Sequence, residues 1–136
     1  MLTTLPEPRL EPEERRLFEQ GVAEFNRGFY FECHDTLEEL WSGLRGPGRD
    51  FFQGLIQVSV AFYHLGNGNL AGMESMIRRA LKRFERYPGR YFGFDLETQR
   101  GDLRAWLERI AQGTAAEDAA ARPRWHFDLD GAARLP

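Results

Sequence analysis

The stretch RDFFQGLIQVSVAFYHL, residues 49–65, decides the fold of this 136-residue chain. It is apolar on nearly every side, and the turn residues RGPG precede it while GNGN follows it. Its β-branched residues Ile56, Val58 and Val60 would suit a strand. A run of this length without a turn signal favours a helix instead. A helix that is apolar all round is typical of the centre of a bundle.

Working outward from this stretch, apolar residues at helical spacing predict four more helices, over residues 12–27, 30–44, 70–87 and 96–112. Short connections between consecutive helices favour antiparallel neighbours. We therefore predict an all-α fold, a compact five-helix bundle of antiparallel helical hairpins with an extended C-terminal tail. Residues 1–112 are expected to form a single helical domain and residues 113–136 a linker and tail. In this tail the alternating aromatics of WHFDLD suit docking in an extended form.

Composition limits the function classes. The 18 Lys and Arg against 21 Asp and Glu give a net charge of −3, which argues against a nucleic-acid partner. The N-terminus shows no basic segment followed by an apolar run, so we predict no signal peptide. No run approaches the ~20 apolar residues of a membrane span. A lone thiol, Cys33, suits a reducing compartment. We expect a cytoplasmic protein with no membrane contact, and partners of three kinds remain open: another copy, a different protein, or a small molecule.

The candidate site comes from polar residues on two adjacent predicted helices. In FECHDTLEELW, residues 31–41, the side chains of His34, Glu38 and Trp41 share a helix face. In the central helix Gln53, Gln57 and His64 lie close to one face. If the two faces meet, the groups must bond to each other, hold water or line a pocket, because unpaired buried polar groups cost ~1–3 kcal/mol each.

Four interpretations of this polar set stay open. His34, Glu38 and His64 match the donor types of a metal site. Glu38 or His34 suits a general base acting on water. Gln53 and Gln57 suit orienting groups in a ligand pocket walled by aromatics such as Trp41. The fourth interpretation is a hydrogen-bonded network that only fixes helix register. Since the sequence contains neither HExxH nor a paired ExxH motif, we assign no metal ligand and leave the cofactor unknown.

Several short motifs in fixed order resemble a known family. FNRGFYFECHDTLEELW (residues 25–41) followed by FFQGLIQVSVAFYHLGNGNLAGM (residues 51–73) is similar to the small all-helical bacterial and archaeal proteins of the domain of unknown function family three-hundred-and-nine. The matching residues are Phe25, Asn26, Gly28, Tyr30, Glu32, His34, Leu37, Glu38, Trp41, Gln53, Gly54, Leu55, Ile56, Gln57, His64, Gly68, Asn69 and Gly72. Met73 departs from the family's usual alanine.

The resemblance covers about residues 14–88 and implies an all-α bundle, but it implies no activity. It makes His34, Glu38, Gln53, Gln57, His64 and Asn69 the candidate site residues. We favour a non-enzymatic interaction or structural module with a polar cluster at a helix–helix seam. In that case the surface of the first and fourth helices engages a partner or another copy. The alternative is a small-molecule or metal-binding pocket with hydrolase-like activity, in which His34, Glu38 and His64 are catalytic and Trp41, Gln53, Gln57 and Asn69 bind the ligand. Whether the protein is an enzyme is left open.

Overall fold

The structure, a computed structural model, describes residues 5–130, apart from the side chain of Ala119. The prediction of five helices is confirmed, and four of the five end within one residue of the predicted position. The elements in chain order are α1 (Pro12–Asn26), α2 (Tyr30–Gly43), α3 (Arg49–Gly66), α4 (Leu70–Phe84), β1 (Arg90–Tyr91), β2 (Phe94–Asp95), α5 (Leu96–Gln112) and a short 3-10 turn (Ala119–Ala121).

Helix α3 forms the centre of the bundle. It packs against α2 on one side and α4 on the other, while α1 covers α2 and α5 covers α4. Phe51, Phe52, Leu55, Val58 and Phe62 along α3 are fully buried. Within residues 5–130 no helix is long and apolar enough to cross a membrane. The apolar character of residues 49–65 is therefore accounted for by burial among neighbouring helices.

Helix α2 turns a different face to the core from the one we singled out. Its buried residues are Tyr30, Cys33, Thr36, Leu37 and Leu40. None of the residues of the predicted face, His34, Glu38 and Trp41, belongs to this stripe, and Phe31 is 51% exposed. The reason is that α2 packs against both α1 and α3, so its buried stripe points between these two helices. His34, Glu38 and Trp41 consequently lie beside the stripe and are half-buried.

The end of α4 and the segment after it differ from the prediction. The helix ends at Phe84, three residues early, because a residue preceding proline, here Tyr87 before Pro88, disfavours helical geometry. Arg100 of α5 donates hydrogen bonds to the carbonyls of Phe84 (2.7 Å) and Tyr87 (3.2 Å), which satisfies helix-terminal acceptors. The predicted loop contains the hairpin β1–β2.

The hairpin turn is made by Phe92 and Gly93, whose φ angles are 53° and 70°. Two positive φ angles in a two-residue connection are those of a type I′ turn, in which asparagine is usual at the first position. Because phenylalanine is unusual at this position, the sequence did not predict the turn at Phe92. Burial explains its presence, because the ring of Phe92 lies 5.4 Å from that of Phe18 and 5.6 Å from that of Phe52.

The described part of the C-terminal tail packs on the helices. Ala115 and Trp125 are buried in the same core as the helices. Phe127 stacks on Phe94, with ring centroids 4.3 Å apart, and meets Phe18 edge-on at 4.7 Å. Residues 122–128 have no helical or strand assignment, which matches docking in an extended form. The domain boundary after residue 112 stays a prediction, and residues 131–136 of the predicted tail lie outside the described part.

Candidate functional site

The predicted polar residues of α2 and α3 are not bonded to each other. His34 is 31% exposed in its side chain, and its Nδ1 lies 3.2 Å from Oδ1 of the neighbouring Asp35. Within residues 5–130, no hydrogen bond or ion pair joins His34 or Glu38 to Gln53, Gln57 or His64. The predicted site residues instead lie in different surroundings, and no single seam collects them.

His34 and His64 are connected through two aromatic rings. The ring of Phe31 lies 6.0 Å from that of His34 and 5.5 Å from that of Tyr63, and Tyr63 lies 6.0 Å from His64. We call these four residues, Phe31, His34, Tyr63 and His64, the aromatic patch. It runs across the junction of α2 and α3, and Phe31 (51%) and Tyr63 (40%) are largely exposed. The patch therefore brings the two histidines onto one surface without direct contact between them.

Asn69 forms the cap of α4. Its Oδ1 accepts a hydrogen bond from the backbone N–H of Gly72 at 2.9 Å, and its Nδ2 lies 3.4 Å from Nδ1 of His64. A Cβ atom at Gly72 would lie 2.6 Å from Asn69 Nδ2 and 2.9 Å from His64 Cδ2, so this position has no room for a side chain. The geometry explains why His64, Asn69 and Gly72 occur together in the motif.

Trp41 stabilises the loop between α2 and α3 through contacts with Arg49. Its indole Nε1 donates to the carbonyl of Arg49 at 3.0 Å, and the guanidinium of Arg49 lies 3.6 Å from the ring. The same guanidinium donates through Nε to the carbonyl of Leu44 at 3.0 Å. Such a cation–π contact is worth about 0.5–2 kcal/mol. These contacts fix how α3 begins.

The two glutamines keep unsatisfied buried oxygens. Within the described residues neither Oε1 of Gln53 nor Oε1 of Gln57 has a hydrogen-bond partner. Gln57 is only 7% exposed and lines a cleft on the α4 side of α3, away from the predicted seam with α2. Gln57 therefore faces basic residues of α4.

The geometry lends no support to the metal interpretation. In the part of the chain that the structure describes, no group of three or more His, Cys, Asp or Glu side chains is placed to hold a metal ion. His34 and His64 are each paired with a different neighbour, Asp35 and Asn69. A catalytic or ligand-binding role for the predicted residues stays a prediction.

Cys33, next to His34, behaves as a core residue. It is fully buried, and burial raises the pKa of its thiol from 9.0 to about 12, an effect partly opposed by a hydrogen bond with Ser59. A thiol held protonated in this way is a poor nucleophile. The thiol therefore contributes packing, as its position on the buried stripe requires.

We expect the Cys33 thiol to react with a disulfide reagent at pH 8 at least roughly 100-fold more slowly in the folded chain than in guanidinium, since the thiolate fraction falls as the pKa rises. The thiolate is disfavoured only in the folded state. Below pH 9 the thiol is neutral in both states and its burial stabilises the fold in full. As pH rises from 9 toward about 12 the unfolded chain is favoured by ionisation of the thiol, and this stabilisation is lost. Absorbance at the reagent's product band gives both rates, and Cys33 is the chain's single cysteine. Native labelling within a factor of about three of the unfolded rate would contradict the burial.

Sequence reasoning missed two sets of residues. Tyr63 was assigned to the buried helix as a whole, although its neighbour His64 was singled out. The basic residues Arg79, Lys82, Arg83 and Arg86 were not counted among the candidate site residues, although their spacing places them on one side of α4 and of the turn that follows it. In both cases the residues and their helical spacing could be read from the sequence. Which side of each helix stays exposed could not.

The comparisons with known proteins confirm the resemblance. The family described as "Domain of unknown function (DUF309)" matches residues 18–76, which contain all of the motif residues named above. An uncharacterized protein of Aquifex aeolicus (strain VF5) is 26% identical over 98 residues, 71% of this chain and 28% of that protein. The uncharacterized protein YpuF of Bacillus subtilis (strain 168) is 37% identical over 54 residues, 39% of this chain and 31% of that protein. The matched regions thus span less than a third of either relative.

Proposed function

We propose that this chain, which carries the domain of unknown function DUF309 within residues 18–76, is a non-enzymatic binding module. Its partner is a basic amphipathic segment of another protein, and the docking surface is the aromatic patch together with the exposed side of α2. The observation that carries this proposal is a pair of large, exposed aromatic side chains, Phe31 and Tyr63, beside a helix that bears only negative charge. The match to parts of longer relatives suits a module of this kind.

Exposure supports a docking role for the patch. Phe31 and Tyr63 contact each other while remaining 51% and 40% exposed, and Phe29, at the start of α2, is 44% exposed. Fully burying an aromatic or large aliphatic side chain stabilises a fold by about 1.5–3 kcal/mol. The fold does not gain this stabilisation in full at Phe31 and Tyr63, because both side chains stay largely exposed. Contiguous exposed apolar surface with polar margins is typical of protein-binding sites. Aromatic residues are also enriched at the centres of such interfaces.

The charge of α2 indicates the chemistry of the partner. The helix contains Glu32, Asp35, Glu38 and Glu39 and no lysine or arginine. Glu32, Asp35 and Glu39 are exposed. A partner that places apolar side chains on the patch and basic side chains beside them would match this surface, and complementary charge also accelerates association. An amphipathic helix with a basic face meets both requirements.

The arrangement of the candidate catalytic residues favours binding over hydrolysis. A general base needs a hydrogen-bonding route to its substrate, and paired catalytic groups normally contact one another. Here His34 contacts Asp35, His64 contacts Asn69, and within residues 5–130 Glu38 makes no hydrogen bond or ion pair. The two histidines instead extend the apolar rings of the patch at either end.

The test is titration with a synthetic 17-residue helical peptide that has a leucine face and a lysine face, followed by NMR and calorimetry. We expect shifts at the patch and along α2. Replacing both Phe31 and Tyr63 by alanine should weaken binding roughly 30-fold or more, the size of a central interface contact. Because both side chains are exposed, the melting temperature should change little.

Matched variants separate charge from general effects. Glu32→Lys on α2 should weaken peptide binding several-fold, about the effect of a charge pair at an interface rim, whereas Glu108→Lys on α5 should not. The same peptide with glutamate in place of lysine should not bind. Equal binding of both peptides would overturn the proposal. So would light scattering that shows a dimer dissociated by the Phe31→Ala and Tyr63→Ala pair, since the occupant would then be another copy.

A further inference from the structure

A cleft on the opposite side of α3 from α2 is surrounded by positive charge. It has a volume of about 570 Å³ and is lined by Asp50, Gln57, Arg79, Lys82, Arg83 and Arg86. Volumes of roughly 300–1,000 Å³ are typical of small-molecule sites. The cleft is separate from the aromatic patch, and none of its lining residues belongs to the patch.

The residues that line the cleft carry more positive than negative charge. Asp50 forms an ion pair with Arg83 and lies 3.6 Å from Arg86. Among the described residues Arg79 and Lys82 have no ion-pair partner. Four cations therefore share one carboxylate, although the whole chain has a net charge of −3. Like charges three or four positions apart destabilise a helix, and a bound anion would relieve this repulsion.

A buried amide makes the cleft more than a charged helix face. The helix dipole alone explains cations near the C-terminal end of a helix, but it does not explain the buried amide of Gln57. This side chain is 93% buried, lines the cleft, and leaves its Oε1 without a hydrogen-bond partner within residues 5–130. An amide can present either its oxygen or its NH₂ to a ligand after a half-turn of the terminal bond. Gln57 is thus placed to make a directed hydrogen bond at the wall of a basic site.

We propose that this cleft binds the phosphate group of a small phosphorylated molecule. The planar guanidinium of arginine pairs with phosphate oxygens through two parallel hydrogen bonds, and Lys82 adds a compact charge. Arg79 and Lys82 take the phosphate, and Gln57 fixes its orientation. A concave site on an acidic chain, with α2 entirely negative, favours a small ligand over a nucleic acid, which would need a continuous basic surface.

Lys82 allows a direct test because it is the chain's only lysine. We expect inorganic pyrophosphate to slow acylation of Lys82 at least roughly fivefold, since an anion bound to the amine shields it from the reagent. The α-amino group of the same chain is the internal reference, and its rate should not change. Sodium chloride at matched ionic strength controls for screening. Mass spectrometry of the peptide containing Lys82 gives the rates, and equal slowing of both amines would overturn the proposal.

Matched variants then test the individual roles by calorimetry with pyrophosphate. Arg79→Gln should weaken binding roughly tenfold, as expected for loss of a charge-assisted hydrogen bond, whereas Arg104→Gln on α5 should leave it unchanged. Gln57→Leu should weaken binding several-fold without lowering the melting temperature of the free chain, because the buried oxygen has no partner to lose. Unchanged affinity in Arg79→Gln, or protection of Lys82 by a DNA or RNA duplex but not by pyrophosphate, would overturn the proposal. The aromatic-patch variants leave this site intact, so the two proposals fail independently.

Discussion

Replacing Trp125 by alanine is expected to lower the free energy of unfolding by about 3–5 kcal/mol, the usual cost of deleting a buried aromatic ring. The indole is 2% exposed and stacks on Phe25 of α1, with ring centroids 3.7 Å apart and planes within 2°. For a chain of this size the change corresponds to a fall in melting temperature of roughly 10–15 °C. Calorimetry and denaturant unfolding would measure it.

The expected loss is large because Trp125 is held by polar contacts as well as by stacking. Its Nε1 donates to Oε1 of Gln99 at 2.9 Å. Its backbone N–H donates to Oδ1 of Asn26 at 2.7 Å, and its carbonyl accepts from Nδ2 of the same residue at 2.8 Å. One α1 side chain thus pairs with both backbone groups of Trp125, and this pairing joins the tail to the bundle.

Two further variants make the Trp125 result interpretable. Trp125→Phe keeps a ring against Phe25 but loses the bond to Gln99, so it should cost only about 1–2 kcal/mol. His126→Ala, at the exposed neighbouring position, should change stability by less than about 0.5 kcal/mol. A loss below 1 kcal/mol in Trp125→Ala, on the order of an ordinary surface change, would mean that the tail does not belong to the core.

Replacing Gly54 by alanine should destabilise the protein by about 1–3 kcal/mol, against the general preference of helices for alanine. Gly54 lies in the interior of α3, where α4 crosses it. A Cβ there would lie 2.4 Å from Cε1 and 2.9 Å from Cζ of Phe84, whose side chain is fully buried and cannot withdraw into solvent. Overpacking of this kind forces neighbouring side chains out of their preferred rotamers.

Gly101 provides the matched control for Gly54. It lies within α5, and a Cβ there would have no neighbour within 4 Å among the described residues. Gly101→Ala should therefore stabilise the protein by about 0.5–1 kcal/mol. Combining Gly54→Ala with Phe84→Leu should recover part of the loss, which a double-mutant cycle would measure. If Gly54→Ala is as stabilising as Gly101→Ala, the two helices do not approach as closely as described.

Much of the motif that identified the family has a structural explanation. Phe25 stacks on Trp125, Asn26 binds the backbone of Trp125, and Gly28 adopts a φ of 83° in the turn between α1 and α2. Asn69 caps α4, and Trp41 fastens the loop before α3. Asn69 contacts other motif residues, His64 and Gly72, whereas Phe25, Asn26 and Trp41 contact residues outside the motif, Trp125 and Arg49. These contacts account for those residues without a shared substrate, whereas Gln57 retains an unsatisfied group that packing does not explain.

The amino-acid sequence alone determined the class of fold and the positions of the helices. Apolar periodicity, Pro12 at the start of α1 and the glycine-rich turns are local signals, and local signals set where a helix begins and ends. The late end predicted for α4 and the missed hairpin at Phe92 and Gly93 were the exceptions. The early end of α4 follows from a local signal that the prediction overlooked, the Tyr87–Pro88 pair, which disfavours helical geometry. The turn depends on contacts from elsewhere in the chain, with Phe18 and Phe52.

Tertiary structure alone decided which polar residues share a surface. The rotation of a helix about its axis follows from all of its neighbours, and α2 is rotated so that Cys33 and Leu37, not His34 and Glu38, point into the bundle. In the same way Gln57 faces the arginines of α4 rather than α2. Residues at neighbouring helical positions point about 100° apart, so a small rotation changes every partner. For this reason the sequence identified the polar residues of interest but not their partners.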